Sequence, residues 1–197
     1  MSQARRQPMT FEQFLDWERH QERKHEFVDG AVVAMAGASE AHNIIQVNLL
    51  TAAAPRLRGS ACRPFPSAML VRTGTERGRY PDMTIDCGPR RADNLIAPEP
   101  RVVFDVLSQD SQQQDRTIKL ADYNATASIA HYVLIEQRVP SVDVYSRGPH
   151  GDFNLRPQAV RGLDGVVELP AIGISLPMTE IYDGLEDLDP IQDEANE

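Results

Sequence analysis

Apolar and polar positions along the chain sort into periodic runs separated by turn-forming residues. Thr10 followed by Gln13 fits a capping box. Phe11, Phe14, Leu15 and Trp17 then recur at helical spacing, so residues 10–22 are expected to form a first helix. From Phe27 to Met35, apolar residues flank Asp29-Gly30, a pair that favours a tight hairpin. Ser39 to Leu57 reads as a longer helix, with Ile44, Ile45, Val47 and Leu49 available to a buried face. Pro55 and Gly59 help to end it.

The middle of the chain changes to strand character. Ser67 to Arg72 and Asp82 to Cys87 are short β-prone runs split by the glycine-rich stretch Thr73–Gly78. Ala92 to Pro100 reads as a loop. Arg101 to Leu107 is almost continuously apolar with one acid inside it, the pattern of a central strand buried on both faces. Ser111 to Asn124 is expected to be helical and His131 to Ile135 to be another buried strand, a strand–helix–strand crossover at the heart of a mixed sheet. Val142–Ser146, Phe153–Arg156 and Val166–Leu169 suit antiparallel edge strands. The expected class is α/β, one domain over residues 9–182 with an acidic, detachable tail over 183–197.

Charge sharpens that division. The net charge of −9 is concentrated at the end of the chain. Eight acidic residues and no Lys or Arg follow residue 179, so the body before it is close to neutral and compatible with an anionic partner. No apolar stretch reaches the length of a membrane span, and Met1 to Thr10 has no apolar run behind Arg5 and Arg6, so a cytoplasmic protein is expected. Cys62 and Cys87 are too few for a disulfide framework and are expected to be buried free thiols. Of 20 basic side chains only Lys24 and Lys119 are lysines. In so arginine-rich a chain, a retained lysine hints that a compact ammonium is wanted.

The residue that points to chemistry is Asp105. A carboxylate inside an apolar strand is costly unless hydrogen-bonded, paired or metal-bound. Asp82, after Tyr80-Pro81, opens a second strand, and two strand-borne acids at one sheet edge would suit a hard divalent ion. Lys119 shares a helical face with Asp115 and Tyr123 and could stabilise charge developing on a phosphate. Blander readings stand beside these: a turn acid at 82, a backbone-bonded acid at 105, a surface ion pair at 119, and a helix-start histidine at 42. Ser108 lacks the setting of a nucleophile elbow, and the chain has no P-loop.

Lys24-His25-Glu26-Phe27-Val28-Asp29-Gly30, then His42, Tyr80-Pro81-Asp82, Val102 to Ser108, and Asp115, Lys119 and Tyr123, taken in this order, resemble the Uma2 family of the PD-(D/E)XK nuclease superfamily. The resemblance spans about residues 9–182. It implies a restriction-endonuclease-like core, a mixed sheet flanked by helices with extra antiparallel strands, and Mg²⁺- or Mn²⁺-dependent hydrolysis of phosphodiester bonds in DNA. By position it makes Asp82 and Asp105 metal ligands. Glu26 assists, Lys119 is the catalytic cation, and His42 orients water or contacts phosphate. Two positions depart from the superfamily pattern: Leu107 stands where the lysine is usual, and Asp105 is one methylene shorter than the usual Glu. These departures support the alternative of a nuclease-fold protein that binds nucleic acid or assembles without cutting. Cutting a duplex needs two strand breaks, so a homodimer is expected.

Overall fold

A computed structural model describes residues 9–35, 37–108 and 115–186. Helix α1 (Phe11–Glu18) begins at the capping box, in which Thr10 and Gln13 satisfy each other's backbone amides, and ends four residues before its expected limit. Strands β1 (His25–Val28) and β2 (Ala31–Ala34) form the hairpin. Asp29 and Gly30 turn between them with φ of 50° and 79°, the left-handed pair that matches strand twist. Helix α2 (Glu40–Arg56) is capped by the Ser39 hydroxyl. It buries Ile45 and Leu49, but Val47, expected on the same face, is exposed.

Strands β3 (Arg63–Pro66), β4 (Val71–Gly74), β5 (Arg77–Arg79) and β6 (Met83–Asp86) follow. Of the expected strand over 67–72, residues 67–70 form the bend between β3 and β4, and Val71 and Arg72 open β4. The glycine-rich stretch is a hairpin whose turn is only Thr75-Glu76. Strands β1, β2, β4 and β5 make a four-stranded antiparallel sheet in the order β2-β1-β5-β4. Phe11, Phe14, Phe27 and Leu70 pack beneath it. Gly78 permits that packing, because a Cβ there would lie 2.9 Å from the Phe11 ring and 3.2 Å from Leu70.

The principal sheet has the order β10-β9-β8-β7-β6-β3. Its centre is β7 (Pro100–Leu107), which pairs antiparallel with β6 and parallel with β8 (His131–Glu136), as the crossover reading requires. The crossover's described part is a wide π-type turn, Asp115–Lys119, running into a short helix α3 (Leu120–Asn124). The expected helical residues 111–114 lie outside the described residues. Beyond β8 come β9 (Ser141–Ser146) and β10 (Gln158–Arg161). Phe153–Arg156 is not a strand; Phe153 makes one isolated bridge to Arg147, and the edge strand starts after Pro157. Strands β11 (Val166–Leu169) and β12 (Ile174–Pro177) form a separate ribbon, followed by α4 (Met178–Ile181).

Side chains alternate across β7. Val102, Phe104 and Val106 join Ile45 and Leu49 of α2 and Leu176 of β12 in one core. Val103 and Leu107 join Tyr123, Tyr132 and Leu134 in the other. The strand is covered on both faces, and Asp105 points to the second.

Cys62 and Cys87 are not free thiols: they form a disulfide. Extending the β3–β6 register past Arg63 and Asp86 places them opposite each other, which sequence separation alone did not reveal. Disulfides persist in oxidising surroundings, so the cysteines lend no support to a reducing compartment. No described helix is long and apolar enough to cross a membrane.

Candidate functional site

The start of β6, the end of β7, the first turn of α2 and the crossover turn meet at one cleft of about 430 Å³. Glu26, His42, Gln46, Tyr80, Asp82 and Lys119 are among its lining residues. Asp82 precedes β6 by one residue. The last pair of the β6–β7 ladder at this end is Met83 with Phe104, so Asp82 and Asp105 are the next residues beyond it on the two strands. The two acids picked out in the sequence therefore lie at the same end of the strand pair.

Asp82 is held at both ends of its carboxylate. Oδ2 accepts the Val106 amide at 2.7 Å, taking the place of a strand partner where β6 has ended. Oδ1 lies 3.0 Å from His42 Nε2. One helical turn later Gln46 donates to the Asp82 carbonyl at 2.7 Å. The Ser39 cap fixes the helix start from which both side chains project, accepting the His42 amide at 3.2 Å. With Nε2–H donating to Asp82, the other His42 nitrogen is left as the acceptor.

Asp105 is only 2% exposed. Its Oδ2 accepts the Tyr132 hydroxyl at 2.8 Å from β8, and its Oδ1 lies 3.4 Å from Lys119 Nζ. The lysine absent from position 107, where Leu107 is packed in the core, is thus supplied from the crossover. The arrangement is not the regular helical face expected of Asp115, Lys119 and Tyr123, because residues 115–119 wind as a wider π-type turn. Such turns recur at functional sites.

Glu26 also faces the cleft, but its carboxylate is committed. Oε2 receives Arg79 Nη1 at 2.7 Å and Oε1 the Tyr80 amide at 3.3 Å. Arg79, fully buried, continues to Asp122 of α3, which also binds Arg77. Burial opposes the charge of Arg79, yet Glu26 and Asp122 outweigh it and hold the guanidinium's pKa above its ordinary value. This chain of charges ties β1 and β5 to the helix that follows Lys119. Sequence reading missed Arg79, Asp122, Gln46 and Tyr132. The one local signal was Gln46 at i+4 from His42; the other three partners are remote in sequence.

The donors on offer are carboxylate oxygens, the chemistry of a hard divalent cation. Among the described residues no three His, Cys, Asp or Glu side chains converge as a ready cation cage. Two acids at one end of a strand pair nevertheless fit Mg²⁺, which commonly takes one or two carboxylates and leaves its remaining positions to water and phosphate.

Comparison with known proteins identifies the family and the fold. Residues 11–179 match the profile of the Uma2 family, described as "Putative restriction endonuclease". Two relatives come from Synechocystis sp. (strain ATCC 27184 / PCC 6803 / Kazusa). The uncharacterized protein slr1290 is 33% identical over 177 residues, 88% of this chain and 91% of its own. The uncharacterized protein sll1609 is 29% identical over 143 residues, 71% and 81% of the two chains. The crystal structure of a "putative nuclease belonging to DUF820" from Anabaena variabilis ATCC 29413 superposes with a TM-score of 0.71 at 18% identity, covering 89% of this chain and 98% of that one. It shares the fold, a mixed sheet flanked by helices with added antiparallel strands.

Proposed function

Since the chain belongs to the Uma2 family, we propose that it is a metal-dependent endonuclease that hydrolyses phosphodiester bonds in DNA. The observation that carries this reading is the meeting of Asp82, His42 and Lys119 on one cleft, with Asp105 directly behind Lys119. Asp82 and Asp105 are the residues that would hold Mg²⁺ or Mn²⁺. When bound, such an ion polarises a phosphoryl oxygen and lowers the pKa of water.

The chain's own groups divide the remaining work. His42, oriented by Asp82, accepts a hydrogen from the water that attacks phosphorus. As the new P–O bond forms and the ester P–O bond breaks, Lys119 faces the charge gathering on the non-bridging oxygens. The leaving alkoxide takes its proton from solvent. Glu26 serves as a positioning group, since its carboxylate is spent on Arg79 and the Tyr80 amide.

Supercoiled plasmid incubated with Mg²⁺ or Mn²⁺ tests the reading. Wild type is expected to nick it and to bind the cation in a titration, and Asp82→Ala to do neither. Nicking no greater than that of Asp82→Ala would overturn the enzyme reading. A second reading, a nuclease-fold protein that binds nucleic acid without cutting, is favoured by the closure of Asp105 under Lys119 and Tyr132. DNA binding without nicking would establish it. A homodimer remains part of the proposal, because one site per chain breaks one strand at a time. Light scattering giving a strict monomer would remove that part.

A further inference from the structure

Lys24 and Lys119 are the chain's two lysines, and the site already described uses only Lys119. They lie 95 residues apart in sequence; Lys119 lines the cleft, and Lys24 stands just outside it against residues that do. Lys24 Nζ donates to the Ser67 carbonyl at 2.8 Å and stands 5.2 Å from the centre of the Tyr80 ring. The Lys24 carbonyl accepts the Met35 amide at 3.0 Å, extending the β1–β2 ladder. Ser67, Tyr80 and Met35 all line the cleft that holds Asp82 and Lys119.

Of three ammonium hydrogens, Ser67 takes one, and the Tyr80 face offers only a diffuse partner. Lys24 is exposed and open to an anion; partial cover of its side chain lowers its pKa, with Glu18 opposing. Lysine suits phosphate as a point charge, and Lys24 is one of two lysines in a chain with 18 arginines.

We propose that Lys24 is a substrate-binding residue that contacts a backbone phosphate flanking the one at Asp82 and Lys119. It thereby selects a polynucleotide strand over a ligand with a single phosphate. This rests on the nuclease reading above. The contact is to phosphate and not to a base edge, so it adds affinity without sequence preference.

Fluorescence anisotropy of a labelled duplex oligonucleotide in EDTA, where no turnover occurs, tests it across a series of salt concentrations. Lys24→Gln is expected to bind severalfold more weakly, and the slope of log affinity against log salt should become shallower by about 0.9. Lys24→Arg should retain most of the affinity and the slope. Arg156→Gln, the same charge change in the exposed loop before β10, should bind as wild type does. Lys24→Gln binding with wild-type affinity and slope would overturn this inference alone. A wild type that binds no nucleic acid would overturn it together with the nuclease reading.

Discussion

Arg79 donates from Nε and Nη2 to a single oxygen of Asp122, at 2.9 and 2.7 Å, with both side chains withdrawn from solvent. Its third donor goes to Glu26, so one guanidinium joins the small sheet, the cleft wall and α3. Replacing Asp122 by Asn leaves that buried cation only partly neutralised. The expected loss is about 3–5 kcal/mol, a fall of roughly 10 °C in melting temperature for a domain of this size. The apolar pair Arg79→Met with Asp122→Leu should recover part of the loss, because the two deepest charges of the network are then gone and Glu26, left without Arg79, keeps the Tyr80 amide and faces the cleft. Thermal denaturation of the single and double variants measures both. A double variant no better than Asp122→Asn would mean that the network stabilises by shape rather than by neutralisation.

Lys119 tests the chemistry separately from the scaffold. If it stabilises charge on the scissile phosphate, Lys119→Ala should slow single-turnover nicking by about a hundredfold or more. Lys119→Arg should restore little, since a planar guanidinium does not reproduce a compact ammonium beside Asp105. A loss confined to stability, with nicking per folded molecule unchanged, would make Lys119 only a counterion for that acid.

His42 is held to Asp82 on one side and is proposed to handle water on the other. His42→Gln keeps a hydrogen bond to Asp82 but loses the titrating ring. Groups that orient a ligand typically matter by about 10–100-fold when removed, and nicking should fall within that range while DNA affinity stays constant. A flattened pH–rate profile in the variant would identify the ring as the group that handles the proton. An unchanged profile would assign it to positioning alone.

The parts of this architecture that were legible in the sequence are those whose causes are local. The Thr10–Gln13 box, the Asp29-Gly30 turn and the Ser39 cap each satisfy their own backbone within a few residues. Asp105 stood out because an acid in an apolar strand needs a reason. Tyr132 could not be read, and Lys119 was placed at the site only through the family resemblance, since both contacts depend on the parallel register of β7 with β8 and on a π-type turn. The Arg79–Asp122 pair spans 43 residues and leaves no periodic trace. The run 67–72 misled over its first four residues, which serve a bend before β4 whose backbone partners, Leu95 among them, come from a distant loop.

The Cys62–Cys87 bridge closes a loop of 25 residues and fastens β3, an edge strand, to β6, whose other end precedes the cleft. A cross-link of that span is worth about 3 kcal/mol, chiefly through the unfolded chain. Reduction, or Cys87→Ser with Cys62→Ser, should lower the urea midpoint and steepen the transition, because the released unfolded chain exposes more surface. Thiol titration of the unreduced, denatured protein should find no reactive cysteine; two thiols would show that the bridge does not form.

His131 sets an acid limit on stability. It is 3% exposed, with Nδ1 2.9 Å from the Ser146 hydroxyl and Nε2 accepting the Ala171 amide at 3.4 Å, so both nitrogens are served by the neutral ring. Burial, with Arg101 adding repulsion, lowers its pKa to about 4 from an ordinary value of 6.5. Between those values the unfolded chain binds a proton that the folded one refuses. The contribution is therefore fully present above pH 6.5 and is lost progressively as pH falls towards 4. At about 1.4 kcal/mol per unit, roughly 3 kcal/mol disappears across that window. Urea denaturation of wild type and His131→Asn at pH 7, 5.5 and 4.5 separates this from carboxylate titration, which both proteins share. Asn is expected to cost stability at pH 7 yet to show the shallower decline, so that the difference between the two proteins shrinks as the pH is lowered. Parallel declines would show that His131 is protonated in the folded protein as readily as in the unfolded chain.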